Sequence, residues 1–186
     1  MPLTTLDPST ALIVIDLQKG IIHGDFIHPI GEIIDRTRAL IDVFRQKNLP
    51  VVLVNVTARP PGRTEQGPRS NISFSEGWAD LLPQLDPQSS DIVVTKRGWG
   101  AFATTDLEAQ LKARGVTQVV VTGVVTSGGV EVTACQAYEQ GFNVTFAIDA
   151  MTDLQEETHE YSVRRVFPRV GETGAAQEII SLMEGC

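Results

Sequence analysis

The chain has 186 residues, a formal net charge of −8 and 42% hydrophobic residues. That length suits one domain with a sizeable core, expected to span 1–186. The negative charge argues against nucleic acid and against anionic membrane surfaces; it says little about the small-molecule substrate expected here, because a local pocket can carry the opposite sign.

Cys135 and Cys186, the latter the last residue, make no disulfide framework, so a reducing, cytoplasmic setting is expected. The first ten residues have no basic region followed by a long apolar run, so no export signal is expected. The run "ALIVI" is too short to span a bilayer.

In chain order, "ALIVI" (11–15) reads as a strand buried on both faces, being continuous, apolar and β-branched. Apolar spacing of three and four predicts a helix over 30–48, with Pro50 just beyond it. "VVLVNV" (51–56) is a second buried strand and "DIVVT" (91–95) a third. Between them, 57–77 is too long for a routine connection and reads as an insertion over a site. A helix is expected over 104–115, with a Thr cap and a closing Gly115. Strands follow at 118–123 and 143–150, with a helix over 129–141 between them. A helix over 156–167, a short strand at 169–172 and a last helix over 173–183 complete the chain. Strands alternating with helices predict a mostly parallel, about six-stranded sheet covered on both faces.

In such sheets ligands bind beyond the carboxyl ends of the strands. Asp16 follows the first strand; Asn55, Thr57 and Arg59 close the second; Lys96 follows the third; "TGVVTSGGVEVTACQAYEQG" (122–141) follows the fourth; Asp149 ends the fifth. Alone, Asp16 reads equally well as a loop carboxylate held by backbone N–H groups, and Lys96 as a solvated edge residue. Together they put opposite charges on one rim.

The segments "ALIVIDLQKG", "TKRGWGAF", "VTGVVTSGGVEVTACQAYEQGFNVTFAIDAMTD" and "VFPRVGETGAAQEII" resemble the isochorismatase-like hydrolases, or cysteine hydrolase superfamily, in order and over almost the whole chain. The resemblance implies a Rossmann-like three-layer α/β/α sandwich, a homo-oligomer (dimer or tetramer), and a site built from Asp16, Lys96 and the turn after the fourth strand. It also implies a cis Val124–Val125 bond. In the nicotinamidase-like branch that turn carries a cysteine nucleophile, whose proton the Asp takes while the Lys supports the charge. That cysteine position falls on Gly129 here. Cys135, six residues on, cannot stand in and reads as a buried core thiol. Ser127 matches a position not used for attack.

The true isochorismatases likewise carry Gly at this turn and cleave a vinyl ether. On that resemblance Asp16 is a general acid, water the nucleophile, and Lys96 binds a carboxylate or developing charge. Two alternatives stand beside it: an amide or imide hydrolase using Asp16-activated water, and a catalytically idle member kept for binding or assembly. Retention of both Asp16 and Lys96 argues against the last.

Around the pair, Gln18 is expected to orient Asp16 or the substrate. Trp78, Trp99 and Phe102 are expected to wall an apolar pocket, and one of Arg59, Arg63 and Arg69 to clamp a carboxylate. Val125, Thr126, Ser127 and Gly128 are expected at the substrate. Thr126 and Ser127 are also read as capping or backbone-satisfying residues. Asp149 reads as support for its turn. The region 55–70 contains no histidine, and His23, His28 and His159 lack ligand spacing and read as packing residues, so no metal is expected. No glycine-rich phosphate loop follows a strand, so no nucleotide cofactor is expected.

Overall fold

The computed structural model describes residues 3–65 and 74–185. Six strands, β1 (Thr10–Ile15), β2 (Val51–Val56), β3 (Ile92–Lys96), β4 (Gln118–Val124), β5 (Asn143–Thr152) and β6 (Glu172–Gly174), form one sheet in the order β3-β2-β1-β4-β5-β6. Every pairing is parallel. The order reverses between β1 and β4, so the crevice for a ligand lies at their carboxyl ends.

β1 is central and every residue of it is buried, as its unbroken apolar run demands. Each fully buried Val, Leu or Ile there contributes ~1.5–3 kcal/mol. α2 (Leu107–Ala113), α3 (Glu131–Glu139) and α5 (Phe167–Val170) share one apolar core with Ala11, Ile13, Ile15, Val52 and Val54. α1 (Ile30–Gln46) and α6 (Ala176–Glu184) cover the other face against Leu12, Val14, Val51 and Leu53. α4 (Glu156–Tyr161) lies at the rim and buries no residue fully.

Three expectations need correction. β3 is an edge strand that alternates between buried and exposed, with Val93 half exposed, so it is covered on one face only. α2 starts at Leu107 because Thr105 diverts the chain: its Oγ1 donates to the Ala101 carbonyl at 2.5 Å and accepts the Leu107 N–H at 3.2 Å. The sixth strand begins only at Glu172, the last residue of the expected 169–172, because the helical turn α5 persists to Val170. There Gly171 crosses β5 so closely that a Cβ would stand 2.3 Å from the Val144 carbonyl oxygen. A second close crossing sits in the sheet, where Gly123, at φ +113°, would push a Cβ to 2.1 Å from the Ile15 carbonyl oxygen. Glycine there lets β4 run tight beside the end of β1, just below Asp16.

Candidate active site

At the end of β1 the backbone of Asp16 turns into the left-handed region (φ 53°), a conformation Asp tolerates better than most residues. Its N–H still bonds the Val54 carbonyl at 3.0 Å, so the turn is anchored to β2. Lys96, the last residue of β3, faces the same crevice. Its Nζ lies 2.8 Å from Asp16 Oδ2 and donates to the Trp99 carbonyl at 2.6 Å. Both side chains are sealed from solvent: Asp16 is 6% exposed and Lys96 1%. Asp16 Oδ1 is buried and has no hydrogen-bond partner among the described residues.

Burial disfavours the carboxylate, while the Lys96 charge and hydrogen bond favour it. Burial wins, and the Asp16 carboxyl is pushed up to about 6. A group so placed exchanges a proton readily near neutral pH, and Oδ1 is the oxygen free to carry it.

The chain after β4 forms a π-turn, Thr126–Val130, before α3. The Val124–Val125 peptide bond is cis. The Val125 carbonyl accepts N–H bonds from Gly128 (3.0 Å) and Val130 (3.2 Å), which fixes the turn's shape. Gly129 faces the charged pair. A Cβ built on it would stand 3.1 Å from Asp16 Oδ2, 3.2 Å from Lys96 Nζ and 3.0 Å from Ile15 Cγ2. Any side chain at 129 would therefore be in direct contact with both charges. Cys135 is half-buried on α3 rather than in the core, and burial with the nearby Glu131 and Glu139 pushes its thiol up, away from the thiolate.

The structure brings Asp16, Lys96 and Gly129 together and disperses several other expected residues. Gln18 is fully buried, but its amide is spent on backbone: Oε1 accepts the Val56 N–H at 2.7 Å, and Nε2 donates to the carbonyls of Val56 (3.1 Å) and Trp78 (3.3 Å). It clamps the loop and does not orient Asp16. Asn55 Nδ2 donates to the Ala79 carbonyl at 2.8 Å, another loop clamp, while its Oδ1 is buried without a partner among the described residues. Phe102 is 4% exposed and packs in the core against Phe142. Trp99 offers its carbonyl to Lys96, and its ring is 57% exposed. Trp78 is half-buried, stacked on Phe74 at 3.9 Å, and lies against Gly20. Arg59 and Arg63 are exposed, and Arg69 lies outside the described residues. Asp149 supports the fold, accepting the Ala176 N–H at 2.7 Å at the start of α6.

Thr126 and Ser127 cap no helix through their side chains. Thr126 Oγ1 turns away from the charged pair to His159 Nδ1, 2.9 Å distant, and the Ser127 N–H donates to Asp153 Oδ2 at 2.7 Å. Val125, Ser127 and Gly128 are half-buried on the turn itself. Asp153 and His159 are absent from the residues expected at the site. A faint signal existed for the first, an acid immediately after a buried strand. None distinguished His159 from any other helix histidine. Among the described residues no three His, Cys, Asp or Glu side chains are grouped to hold a metal ion, and no helix is long and apolar enough to cross a membrane.

A carboxyl–ammonium pair at the switch point of a parallel sheet, facing a tight turn, defines a class of α/β hydrolase site. The isochorismatase domain model matches residues 10–178, and the chain belongs to the isochorismatase family. It is 37% identical to the isochorismatase family protein YwoC of Bacillus subtilis over 92% of each chain. An isochorismatase family protein from Burkholderia thailandensis superposes with TM-score 0.89, at 35% identity, over 97% of this chain and 98% of that one. Named relatives are hydrolases: an isochorismatase of Bacillus subtilis (25% identical, over 96% of this chain and 59% of that protein) and nicotinamidase 3 of Arabidopsis thaliana (30%, over 83% and 80%).

Proposed function

We propose that this protein is a hydrolase of the isochorismatase type in which water attacks and no side chain does, with a vinyl ether of isochorismate type as substrate. The observation that carries this reading is Gly129. The position whose side chain would touch both Asp16 Oδ2 and Lys96 Nζ bears none. On the resemblance to the family's amidases, the position of their nucleophilic cysteine falls on this glycine, and burial with Glu131 and Glu139 pushes the Cys135 thiol up, away from the reactive thiolate.

The remaining groups suit acid-catalysed cleavage. Asp16 Oδ1 delivers its proton to the terminal alkene carbon, and the ether carbon becomes an oxocarbenium ion. Water adds to that carbon and loses a proton, which re-forms the Asp16 carboxyl. The hemiketal then collapses, releasing an alcohol and pyruvate. Lys96 balances negative charge on Asp16 after proton transfer and offers its third N–H to the substrate. The space at Gly129 admits the water or the enol group.

Purified protein is given isochorismate and pyruvate is measured, with Asp16→Ala beside it. Release by the wild type and loss in the variant is the expected result. Equal release by both removes Asp16 from its role. No release by the wild type overturns the substrate, and ammonia release from amides then tests Asp16-activated water in its place.

A further inference from the structure

Beside the π-turn lies a groove lined by Ile27, His28, Glu156, His159, Val163 and Arg164. Two histidines sit in it edge to face, ring centroids 5.0 Å apart. Each is tied by Nδ1 to a threonine of the chain that carries the site: His159 to Thr126 at 2.9 Å, and His28 to Thr152 at 3.1 Å. We propose that His159 is a positioning residue for the hydrolytic site: as the neutral Nε2–H imidazole it accepts a hydrogen bond at Nδ1 from the Thr126 hydroxyl and holds the turn at the register that faces Gly129 toward Asp16 and Lys96. This rests on the hydrolytic reading above and adds a requirement to it.

Thr126 is fully buried, and His159 Nδ1 is the only partner its hydroxyl has among the described residues. With Nδ1 unprotonated, the hydroxyl donates and is satisfied. Once Nδ1 carries a proton, the hydroxyl must accept instead, and its own hydrogen is left buried without an acceptor, which is costly. A second brace resists this only in part. Asp153 takes the N–H of Ser127 on one oxygen and that of Leu154 on the other, each at 2.7 Å, and so fixes the start of the turn but not Gly128 and Gly129.

The groups facing His159 come from several elements. His28, ahead of α1, opposes a charge on it. Asp153, after β5, and Glu160, its neighbour on α4, favour one. Glu156 and Arg164 line the same groove, and Arg164 is paired with Glu160 at 3.2 Å. Burial leads and His28 assists, so His159 is held below its ordinary 6.5, which favours the neutral imidazole. Protonation of His159 is then expected to lower activity as pH falls, and loss of the Asp16 proton to lower it as pH rises.

The test needs no turnover, so its failure is separable from that of the substrate assignment. In Asp16→Asn protein, which removes the carboxyl that Gly129 faces, the amide resonances of Gly128 and Gly129 are followed by NMR from pH 7.5 to 4.5 together with the His159 ring. The glycine amides are expected to move with the midpoint of the imidazole. In Thr126→Val they become flat while the ring still titrates, and Thr126→Ser restores the coupling. Glycine amides indifferent to His159, or still coupled in Thr126→Val, overturn the proposal. Should the Val variant not fold, the first comparison alone decides. In active protein, His159→Asn is expected to lower kcat roughly 10- to 100-fold, the scale of a small misplacement, and to abolish the acid limb of the pH profile. An acid limb unchanged in that variant also overturns it.

Discussion

Lys96 Nζ reaches Asp16 Oδ2 at 2.8 Å while giving a second hydrogen bond to the Trp99 carbonyl at 2.6 Å. Two of its three protons are thereby committed, and Asp16 Oδ1 beside it has no hydrogen-bond partner among the described residues. One donor and one acid–base oxygen are thus left for substrate.

The first prediction concerns that oxygen. Asp16→Asn keeps the shape but cannot donate a carboxyl proton. Its kcat for pyruvate release should fall roughly 10²- to 10⁴-fold, the usual worth of general acid catalysis. Circular dichroism at pH 7 checks that the fold is retained. Near wild-type turnover would remove Asp16 from the chemistry.

The pH dependence follows from the raised carboxyl. The proton must be present for catalysis, so kcat/KM should decline above pH 6. Lys96→Met removes the influence that lowers the Asp16 value, and the declining limb should move to higher pH. Stability carries the same sign. A carboxyl raised from 3.8 to about 6 favours the folded state fully below 3.8, and this advantage is lost as pH climbs through 6, about 3 kcal/mol in all. Denaturant titrations from pH 4 to 7 should show this fall in the wild type and lack it in Asp16→Asn.

Gly129→Cys tests what the empty position means. Its Cβ would meet Ile15, Asp16 and Lys96 at 3.0–3.2 Å, so neighbours must give by a few tenths of an ångström. The thiol would then lie beside a proton acceptor and an ammonium, the arrangement that activates a cysteine. We expect pyruvate release to drop and ammonia release from nicotinamide to appear, with Gly129→Ala showing only the drop. A Cys variant that folds and releases no ammonia would argue that this scaffold lacks more than the thiol.

Phe102 and Trp99 separate core from rim. Phe102→Ala opens a cavity in the core and should cost roughly 3–5 kcal/mol of stability. Trp99→Ala, whose ring is half exposed and whose carbonyl remains, should change stability by less than ~0.5 kcal/mol and register in KM if the indole borders the substrate. Urea titration of the two variants gives the comparison.

The strand-end logic located Asp16 and Lys96 because long apolar runs mark where parallel strands stop, and the crevice lies there by topology. The parallel α/β fold was legible for the same reason. Gln18, Asn55 and Phe102 were misplaced because alternation says which face a residue takes, not what its polar atoms meet. Gln18 finds Val56 and Trp78, 38 and 60 residues away. Asp153 and His159 escaped notice for a related reason, since their partners Ser127 and Thr126 lie 26 and 33 residues off. The later start of α2 turned on a single hydroxyl, that of Thr105, which propensity does not resolve.

Asp16 and Lys96 leave the sheet on strands that are not neighbours, with β2 between them. Two strand spacings separate β1 from β3, roughly 9–10 Å, and the pair closes only because lysine is long. Lys96 thus works as a gauge rod laid across the end of β2. A shorter cation, or a one-residue slip of β3 against β2, would leave the carboxyl without its counter-charge. An edge strand therefore supplies the charge that tempers the ionisation of the central one, and edge disorder would be felt at the acid before it is felt in the core.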